Sequence, residues 1–405
     1  MNIDLPSDPG DAFLVLSLAI DAHFPGHIDS CYLKEEDRAR WAIERIPLTD
    51  IVSACYALET DLTNRVGPDA ERYAYLVDQL GAMRRKVEFS TEGKSTVANE
   101  ARAFLGIEPE WIDDAIFDRE QDRLRGLLPL NGGSLHEREN AFRRNGQVKL
   151  TPTSPTVYAI MDWLQSRVRK LLTLPVGERA DIFLNDALLS MAYHRYQGNM
   201  ISTMEINPMR VMDIAGLISL IAHEVYPGHH TELVIKECTL NRRRGWREHQ
   251  VTIIDAPSCV IAEGIATRGL YVIITQDELI ERCGELLTLS GLDRGDAETR
   301  VQVEKSRQIL RNIVNNAALL LDDPTVSERD ILYYITEKGL TDDREAQRML
   351  RFARTVRSYA LTYSQGSKLV DQFLDRVDDK PSALAKLLRE PVTPTILKAW
   401  YANAA

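Results

Sequence analysis

The chain has 405 residues, of which 44% are hydrophobic and 27% charged, and its formal net charge at pH 7 is -11. This composition is that of an ordinary globular protein that can bury a sizeable core. The negative charge argues against nucleic acid or an anionic membrane surface as the main partner.

The cysteines and the N-terminus indicate the compartment. Five cysteines, an odd number, are widely spaced and form no Cys-x-x-Cys pair, so neither a disulfide framework nor a cysteine zinc site is predicted. The apolar run from residue 12 to 20 follows Asp4, Asp8 and Asp11, where a secretory signal would carry positive charge. No segment approaches the roughly 18 uninterrupted apolar residues of a membrane span. We therefore expect reduced thiols and a cytoplasmic protein.

The first third of the chain is predicted to be helical. From Asp11 to Phe104, apolar positions recur at spacings of three and four, and residues 111–144 continue the pattern as one or two more helices. The stretch His-Phe-Pro-Gly-His at 23–27 predicts a turn, because Pro-Gly is a common turn signal and no Glu lies beside either His. Residues 1–150 are thus predicted to form an N-terminal helical subdomain.

A linker is predicted at residues 151–156, Thr-Pro-Thr-Ser-Pro-Thr, because its two prolines exclude a helix. It separates the N-terminal subdomain from a second one, 151–405, and we expect the two to form one compact unit. A helix is predicted from about Val157 to Leu172, and residues 180–188 are extended or helical. Residues 199–206 are the best strand candidate in the chain.

The next helix is predicted to begin with Asn207 as its N-cap and Pro208 at its first helical position. From Asp277 to the C-terminus the chain is predicted to return to amphipathic helices. The longest of these are expected at Glu298 to Leu321 and at Asp343 to Arg376.

The helix after Pro208 ends in the motif His-Glu-Val-Tyr-Pro-Gly-His-His, residues 223–230, which holds three of the eight histidines. Zinc hydrolases need neutral imidazoles to hold the metal and a carboxylate beside the water that attacks. The preceding residues 214–222 are apolar nearly all round, so a helix there is buried, and a buried Glu224 is costly unless something binds it. We therefore predict a metal site. The alternative is a buried polar pair whose following histidines cap a broken helix.

The spacing of the motif leaves the second histidine open. On a straight helix at about 100° per residue, His230 lies within roughly 20° of His223 and His229 lies about 120° away. Pro227 and Gly228, however, break or bulge a helix and would allow His229 to lie under His223. Both histidines therefore remain candidates on geometry.

Together with Ala-Glu-Gly-Ile-Ala at 262–266, the motif resembles a bacterial family of uncharacterised function, which in turn resembles the carboxypeptidase Taq-like gluzincin metallopeptidases. The resemblance implies a mainly α-helical, gluzincin-like metallopeptidase fold with a small β-sheet or hairpin beside the zinc-binding helix, and Zn²⁺ as cofactor. It implies His229 rather than His230 as the second ligand, because the second His of gluzincins follows a Gly. It also implies Glu263 as the third ligand.

Gluzincins use the strand before the metal helix as well. The edge of that strand pairs with the substrate backbone, and the resemblance gives this role to residues 199–206. Related enzymes often take a Tyr or His from a C-terminal helix to stabilise the negative charge that develops on the substrate oxygen. Tyr363 is our candidate for that donor, with Tyr359 as the runner-up.

The predicted zinc ligands are His223, His229 and Glu263. Three ligands leave one zinc position open for a water, whose pKa zinc lowers to near ~7. Glu224 diverges by about 100° from its neighbour His223 on a helix, so it is predicted to be the general base rather than a ligand.

An exopeptidase also needs a cation that grips the carboxylate of its substrate. Arg243, in the basic run between the two predicted zinc helices, is one candidate, although such a run is more often a solvated helix face. Arg354 and Arg357, near Tyr363 in sequence, are competing candidates.

The sequence therefore predicts a zinc-dependent hydrolase, a metallopeptidase of carboxypeptidase-like type, whose catalytic subdomain is 151–405. Its expected partner is a peptide or small amide substrate, and neither nucleic acid nor a membrane is expected. The alternatives are a metal-dependent amidase or esterase acting on a small metabolite, and a non-catalytic metal-binding helical protein. The presence of Glu224 argues against the last, because a structural site has no use for a carboxylate beside an open metal position.

Overall fold

The computed structural model describes residues 3–41, 46–67, 69–93, 95–151, 154–188 and 190–402. The chain is 67% helical and its strands form only small sheets, which confirms the predicted mainly α class. Pro152 and Thr153, inside the predicted linker, lie outside the described residues, and the division at residue 150 stays a prediction.

In chain order the α-helices are α1 (Pro9–Asp21), α2 (Glu35–Arg40), α3 (Leu48–Val66), α4 (Ala70–Glu92), α5 (Val97–Glu100), α6 (Asp114–Leu127), α7 (Leu135–Asn145), α8 (Pro155–Leu171), α9 (Ile214–Glu224), α10 (His229–Lys236), α11 (Pro257–Ile273), α12 (Gln276–Leu289), α13 (Ala297–Arg311), α14 (Ile313–Leu320), α15 (Glu328–Gly339), α16 (Asp343–Val356), α17 (Thr362–Leu374), α18 (Lys380–Arg389) and α19 (Pro394–Ala402). Short 3-10 or π-helical segments lie at Ala101–Leu105, Glu237–Arg243, Arg247–Gln250, Arg294–Asp296 and Arg357–Leu361. The strands are β1 (Ile28–Cys31), β2 (Arg179–Leu184), β3 (Ala192–Gly198), β4 (Ile201–Ile206) and β5 (Val251–Ile253).

The predicted strand at 199–206 is confirmed as β4, but its predicted place at a sheet edge is wrong. β4 lies at the centre of a three-stranded sheet, where it pairs in parallel with β2 and antiparallel with β3. Both of its sides are therefore hydrogen-bonded, and β3 is an edge strand. Residues 192–198 were not recognised as a strand, because Ala-Tyr-His-Arg-Tyr-Gln-Gly lacks the β-branched residues that mark one.

The predicted start of α9 is also wrong. Asp213, not Asn207, is the N-cap, and its carboxylate accepts a hydrogen bond from the backbone of Gly216. Asn207 instead accepts from the backbone of Met209, two residues on, and so closes a turn between β4 and the helix. An Asn-Pro pair is a turn signal as well as a helix start, and local sequence does not separate the two.

Two long predicted helices are each divided. The stretch from Glu298 to Leu321 breaks at Asn312 into α13 and α14. The stretch from Asp343 to Arg376 becomes α16, the 3-10 turn Arg357–Leu361 and α17. The second break is the one that matters for the site, because it places Tyr359 in the turn and Tyr363 in the first turn of α17.

α9 lies in the centre of the main core, as its apolar sequence predicts. Leu217, Ile218 and Ile221 are fully buried, and the helix packs on α8, α11, α12 and α13. Each such side chain contributes about 1.5–3 kcal/mol by leaving water. The C-terminal end of α9 is therefore fixed in position by packing on several sides.

α11 and α17 approach each other closely because glycines face each other at their contact. A Cβ on Gly264 would lie 2.4 Å from the carbonyl oxygen of Gly366, and one on Gly366 would lie 2.1 Å from the carbonyl oxygen of Val260. Glu263 and Tyr363, which lie close in sequence to these glycines, are brought together by the same contact.

Among the described residues, no single helix has the length and apolar composition that crossing a membrane requires. α11 and α12, which meet at a 90° bend, pass that test only as a pair.

The close approach of α11 and α17 predicts an effect of substitution. Gly366→Ala places a methyl group against a backbone oxygen that cannot move away alone, and we expect a loss of about 1–3 kcal/mol, as for other overpacked interiors. Gly81→Ala in α4 is the matched control, because a Cβ there meets nothing within 4 Å, and it should be neutral or stabilising by up to about 1 kcal/mol. Thermal melts of both variants check this, and equal melting temperatures would contradict it.

Candidate metal centre

The centre is built on a break between α9 and α10. α9 ends at Glu224 and α10 begins at His229, with Gly228 as its N-cap. Pro227 has no backbone N–H to continue the helix, and the amide of Gly228 donates instead to the carbonyl of Ala222 at 2.9 Å. A Cβ on Gly228 would lie only 1.7 Å from the carbonyl oxygen of His223, so no larger residue fits this turn.

The break brings His229 beside His223, with their ring centroids 4.8 Å apart. Nε2 of His223 lies 3.3 Å from Oε2 of Glu263, and Nε2 of His229 lies 3.7 Å from Oε1 of the same carboxylate. One ligand atom from each of the three residues lies within 4.8 Å of the others. The structure thus gathers the three predicted ligands, and two imidazole nitrogens with one carboxylate oxygen are a donor set typical of zinc.

Glu263 is held ready for a cation. The phenol of Tyr359 donates a 2.6 Å hydrogen bond to its Oε1, whereas its Oε2 is buried without a hydrogen-bond partner. Burial raises the pKa of Glu263, but the charges of His229 and His223 beside it outweigh burial and lower the pKa to about 2. An ionised, buried carboxylate with one oxygen unsatisfied fits a metal ion.

Glu224 and Tyr363 border the same group. Burial raises the pKa of Glu224, and the charges of His223 and His229 offset part of that rise. The ring of Tyr363 stacks on His223 at 6.5 Å with 25° between the planes. Burial and the charge of Glu263 raise the pKa of Tyr363 well above its usual value, so its phenol stays protonated and can donate a hydrogen bond.

His230 lies apart from the metal group, because the helix does not run straight through Pro227 and Gly228. Its ring is buried, with Nε2 3.0 Å from Oε2 of Glu178 and Nδ1 2.7 Å from Oγ of Ser202. Because the helix breaks before His229, the two consecutive histidines contact different residues: His229 lies beside Glu263, and His230 binds Glu178 and Ser202.

Glu178 holds the break from the other side. Its Oε2 accepts hydrogen bonds from Tyr226 at 2.7 Å and from His230 at 3.0 Å. Tyr226 precedes Pro227-Gly228 in the chain and His230 follows it. Its Oε1 accepts from Gln165. Burial raises the pKa of Glu178, but the hydrogen bonds of His230 and Tyr226 outweigh it, so the pKa is lowered and the carboxylate stays ionised. Sequence analysis missed Glu178, since nothing in its own surroundings marks it.

His194 on β3 was missed as well. Its Nε2 lies 2.8 Å from Oγ of Ser202, and its ring centroid lies 6.0 Å from that of His229. A hydrogen-bonded chain therefore runs from Glu178 through His230 and Ser202 to His194, which lies beside the second metal-ligand candidate.

The three predicted arginine clamps are not drawn into this group. Arg354 pairs with Glu328 at an exposed position, and Arg357 pairs with Glu100. Arg243 is exposed at the end of its π-helical segment. No ion pair or hydrogen bond between described residues joins these arginines to the metal group.

Comparisons with known proteins show a shared fold only. No protein-family profile and no curated protein matches the chain. A protein of Colwellia psychrerythraea described as a "putative lipoprotein" is similar in structure, with a TM-score of 0.52 and 14% sequence identity over 98% of this chain and 76% of that one. A "putative lipoprotein of unknown function" from Shewanella oneidensis matches at a TM-score of 0.48 and 12% identity over 97% and 71%.

Substituting each of the two adjacent histidines tests the ligand assignment, and we expect different results. His229→Ala removes a ligand, so high-affinity zinc binding should be lost. His230→Ala should keep about one bound zinc, yet lose about 1–3 kcal/mol of stability because Glu178 and Ser202 lose a buried partner. Elemental analysis and thermal melts of the two variants check this. Zinc loss in His230→Ala alone would mean that the ligands are assigned wrongly.

Proposed function

We propose that this protein is a zinc-dependent hydrolase of gluzincin-like type, most closely related in its motifs to the carboxypeptidase Taq-like metallopeptidases. The observation that carries the proposal is the meeting of His223, His229 and Glu263 at one point, with Glu224 at the same helix end and the phenol of Tyr363 stacked beside it. A buried polar pair without chemistry would not require this convergence from three separate helices.

The residues divide the work of hydrolysis. Zinc bound by His223, His229 and Glu263 would polarise a substrate carbonyl and acidify a water. Glu224 takes a proton from the attacking water and passes it to the leaving amine, a role that a raised pKa favours. Tyr363 donates a hydrogen bond to the oxygen on which negative charge develops.

A peptide substrate is favoured by the strands beside the centre. β3 is an edge strand, and a cavity of about 510 Å³ is lined by residues of β1 and β3. The outer edge of β3 lies beside β1, so an extended peptide would pair with β3 only by entering the cavity between the two strands. The volume is in the usual range of roughly 300–1,000 Å³ for small-ligand sites, so a short peptide fits.

We place the protein in the cytoplasm. Its five cysteines are free, three of them buried, which supports a compartment that keeps thiols reduced.

Glu224→Gln tests the general base. The amide keeps the size of the side chain but cannot take a proton, so turnover of a peptide library by the zinc-loaded protein should fall by roughly 10² to 10⁴-fold. Zinc content and melting temperature should stay the same. Full activity in a folded, zinc-loaded variant would refute the mechanism.

Variants of the two tyrosines should affect turnover and metal binding separately. Tyr363→Phe should lower kcat by roughly 10² to 10³-fold, the range for losing one donor to a developing oxyanion, with zinc affinity unchanged. Tyr359→Phe removes the hydrogen bond to Glu263 and should weaken zinc binding by about 10 to 100-fold. Zinc competition titrations and steady-state kinetics measure both. Identical effects of the two variants would contradict these separate roles.

A further inference from the structure

Arg357 has a backbone conformation that arginine rarely adopts. At φ 46° and ψ -117° it lies near the first central position of a type II′ turn, about +60° and -120°, which favours glycine. A side chain in this region is crowded against its own backbone, so the conformation persists only where other contacts hold it. Residues held in this way cluster at functional sites.

The side chain of Arg357 supplies such contacts. Its Nε donates to both carboxylate oxygens of Glu100, at 2.8 and 3.0 Å, and its Nη2 donates to the carbonyl oxygen of Ser95 at 2.8 Å. Oδ2 of Asp322 lies 3.5 Å from the same Nη2. Glu100 is buried on α5, with only 11% of its side chain exposed, so solvent screens this ion pair less than one at the surface. The guanidinium therefore ties the end of α16 to α5.

The 3-10 turn that begins at Arg357 carries a residue of the metal centre. Ser358 and Ala360 are buried, and the turn packs on α5 and α14. Tyr359, between these two residues, is only partly buried, and its phenol donates the 2.6 Å hydrogen bond to Oε1 of Glu263. Because Tyr359 lies two residues after Arg357, a rotation of the backbone at Arg357 would move the phenol away from the carboxylate.

We propose that Arg357 is a positioning residue, which through its pair with Glu100 holds Tyr359 against Glu263 and so orients the third ligand candidate. This inference rests on the proposed function, since the orientation of a ligand matters only where a metal binds. It differs from the clamp expected from the sequence, in which the guanidinium itself would touch the substrate. Groups that orient a metal ligand typically contribute about 10 to 100-fold to metal affinity.

Zinc titration of an Arg357→Gly variant tests the proposal. Glycine adopts this backbone conformation without strain, so the variant should fold, but it lacks the contacts with Glu100. We expect its zinc affinity to fall by about 10 to 100-fold, as in Tyr359→Phe. Arg354→Ala is the matched control, because it removes an arginine of α16 whose partner Glu328 is exposed, and its zinc affinity should equal that of the wild type. Equal zinc affinities in Arg357→Gly and Arg354→Ala would overturn the proposal.

A double variant separates positioning from a general loss of structure. If Arg357 acts through Tyr359, adding Arg357→Gly to Tyr359→Phe should weaken zinc binding by no more than about twofold further. Independent effects, which multiply in the double variant, would overturn the proposal. Glu100→Gln perturbs the same pair without touching the turn, because the amide keeps the size of the side chain and loses its charge. Zinc affinity should fall in Glu100→Gln as well, with a melting temperature that shows a folded protein.

Peptide turnover distinguishes positioning from a clamp and from failure of the proposed function. A clamp predicts that Arg357→Gly keeps its zinc affinity and raises KM only for peptides with a free carboxyl terminus, not for amidated ones, and that result would overturn the proposal. Coupled loss of zinc affinity in a protein that cleaves no peptide would support this inference and refute the hydrolase. Peptide cleavage by the wild type, together with independent effects of the two substitutions, would leave the hydrolase intact and overturn this inference alone.

Discussion

The metal centre depends on one interruption of helical backbone, the turn from Val225 to Gly228. A continuous helix would carry His230 to the face of His223 and leave His229 at the side. The interruption reverses this choice, and it is stabilised because Glu178 binds Tyr226 within the turn and His230 after it. A buried ionised carboxylate thus fixes the turn, and the turn fixes which imidazole reaches the metal group.

The position of Glu263, the third ligand candidate, depends on a second constraint, the glycine contact between α11 and α17. Only residues without a side chain allow the two backbones to approach within the distances seen at Gly264 and Gly366. At that separation Tyr359 reaches Glu263 and Tyr363 stacks on His223. Two short sequences far apart in the chain, Glu-Gly and Gln-Gly, therefore serve one purpose. They bring the ligand candidate Glu263 together with Tyr359 and Tyr363.

What the sequence predicts and what it misses differ in a physical way. The ligand candidate His223, the carboxylate Glu224 and the mainly helical class follow from local motif and periodicity, which a single chain displays. The choice of His229 over His230 did not follow from spacing and came from the family resemblance. The N-cap Asp213 was missed because Asn207-Pro208 offers an equally good local signal. Glu178 and His194 were missed because their roles exist only through partners far along the chain.

The same distinction applies to the arginines. A run of basic residues is conspicuous in sequence, but the fold decides where each side chain lies, and Arg354 lies beside Glu328 rather than beside the metal group. Asp29, likewise, lies in a bulge that forms only when β1 pairs with β5, far along the chain. Which charged side chains outside the motif lie beside the metal group is therefore a property of tertiary contacts rather than of any local pattern.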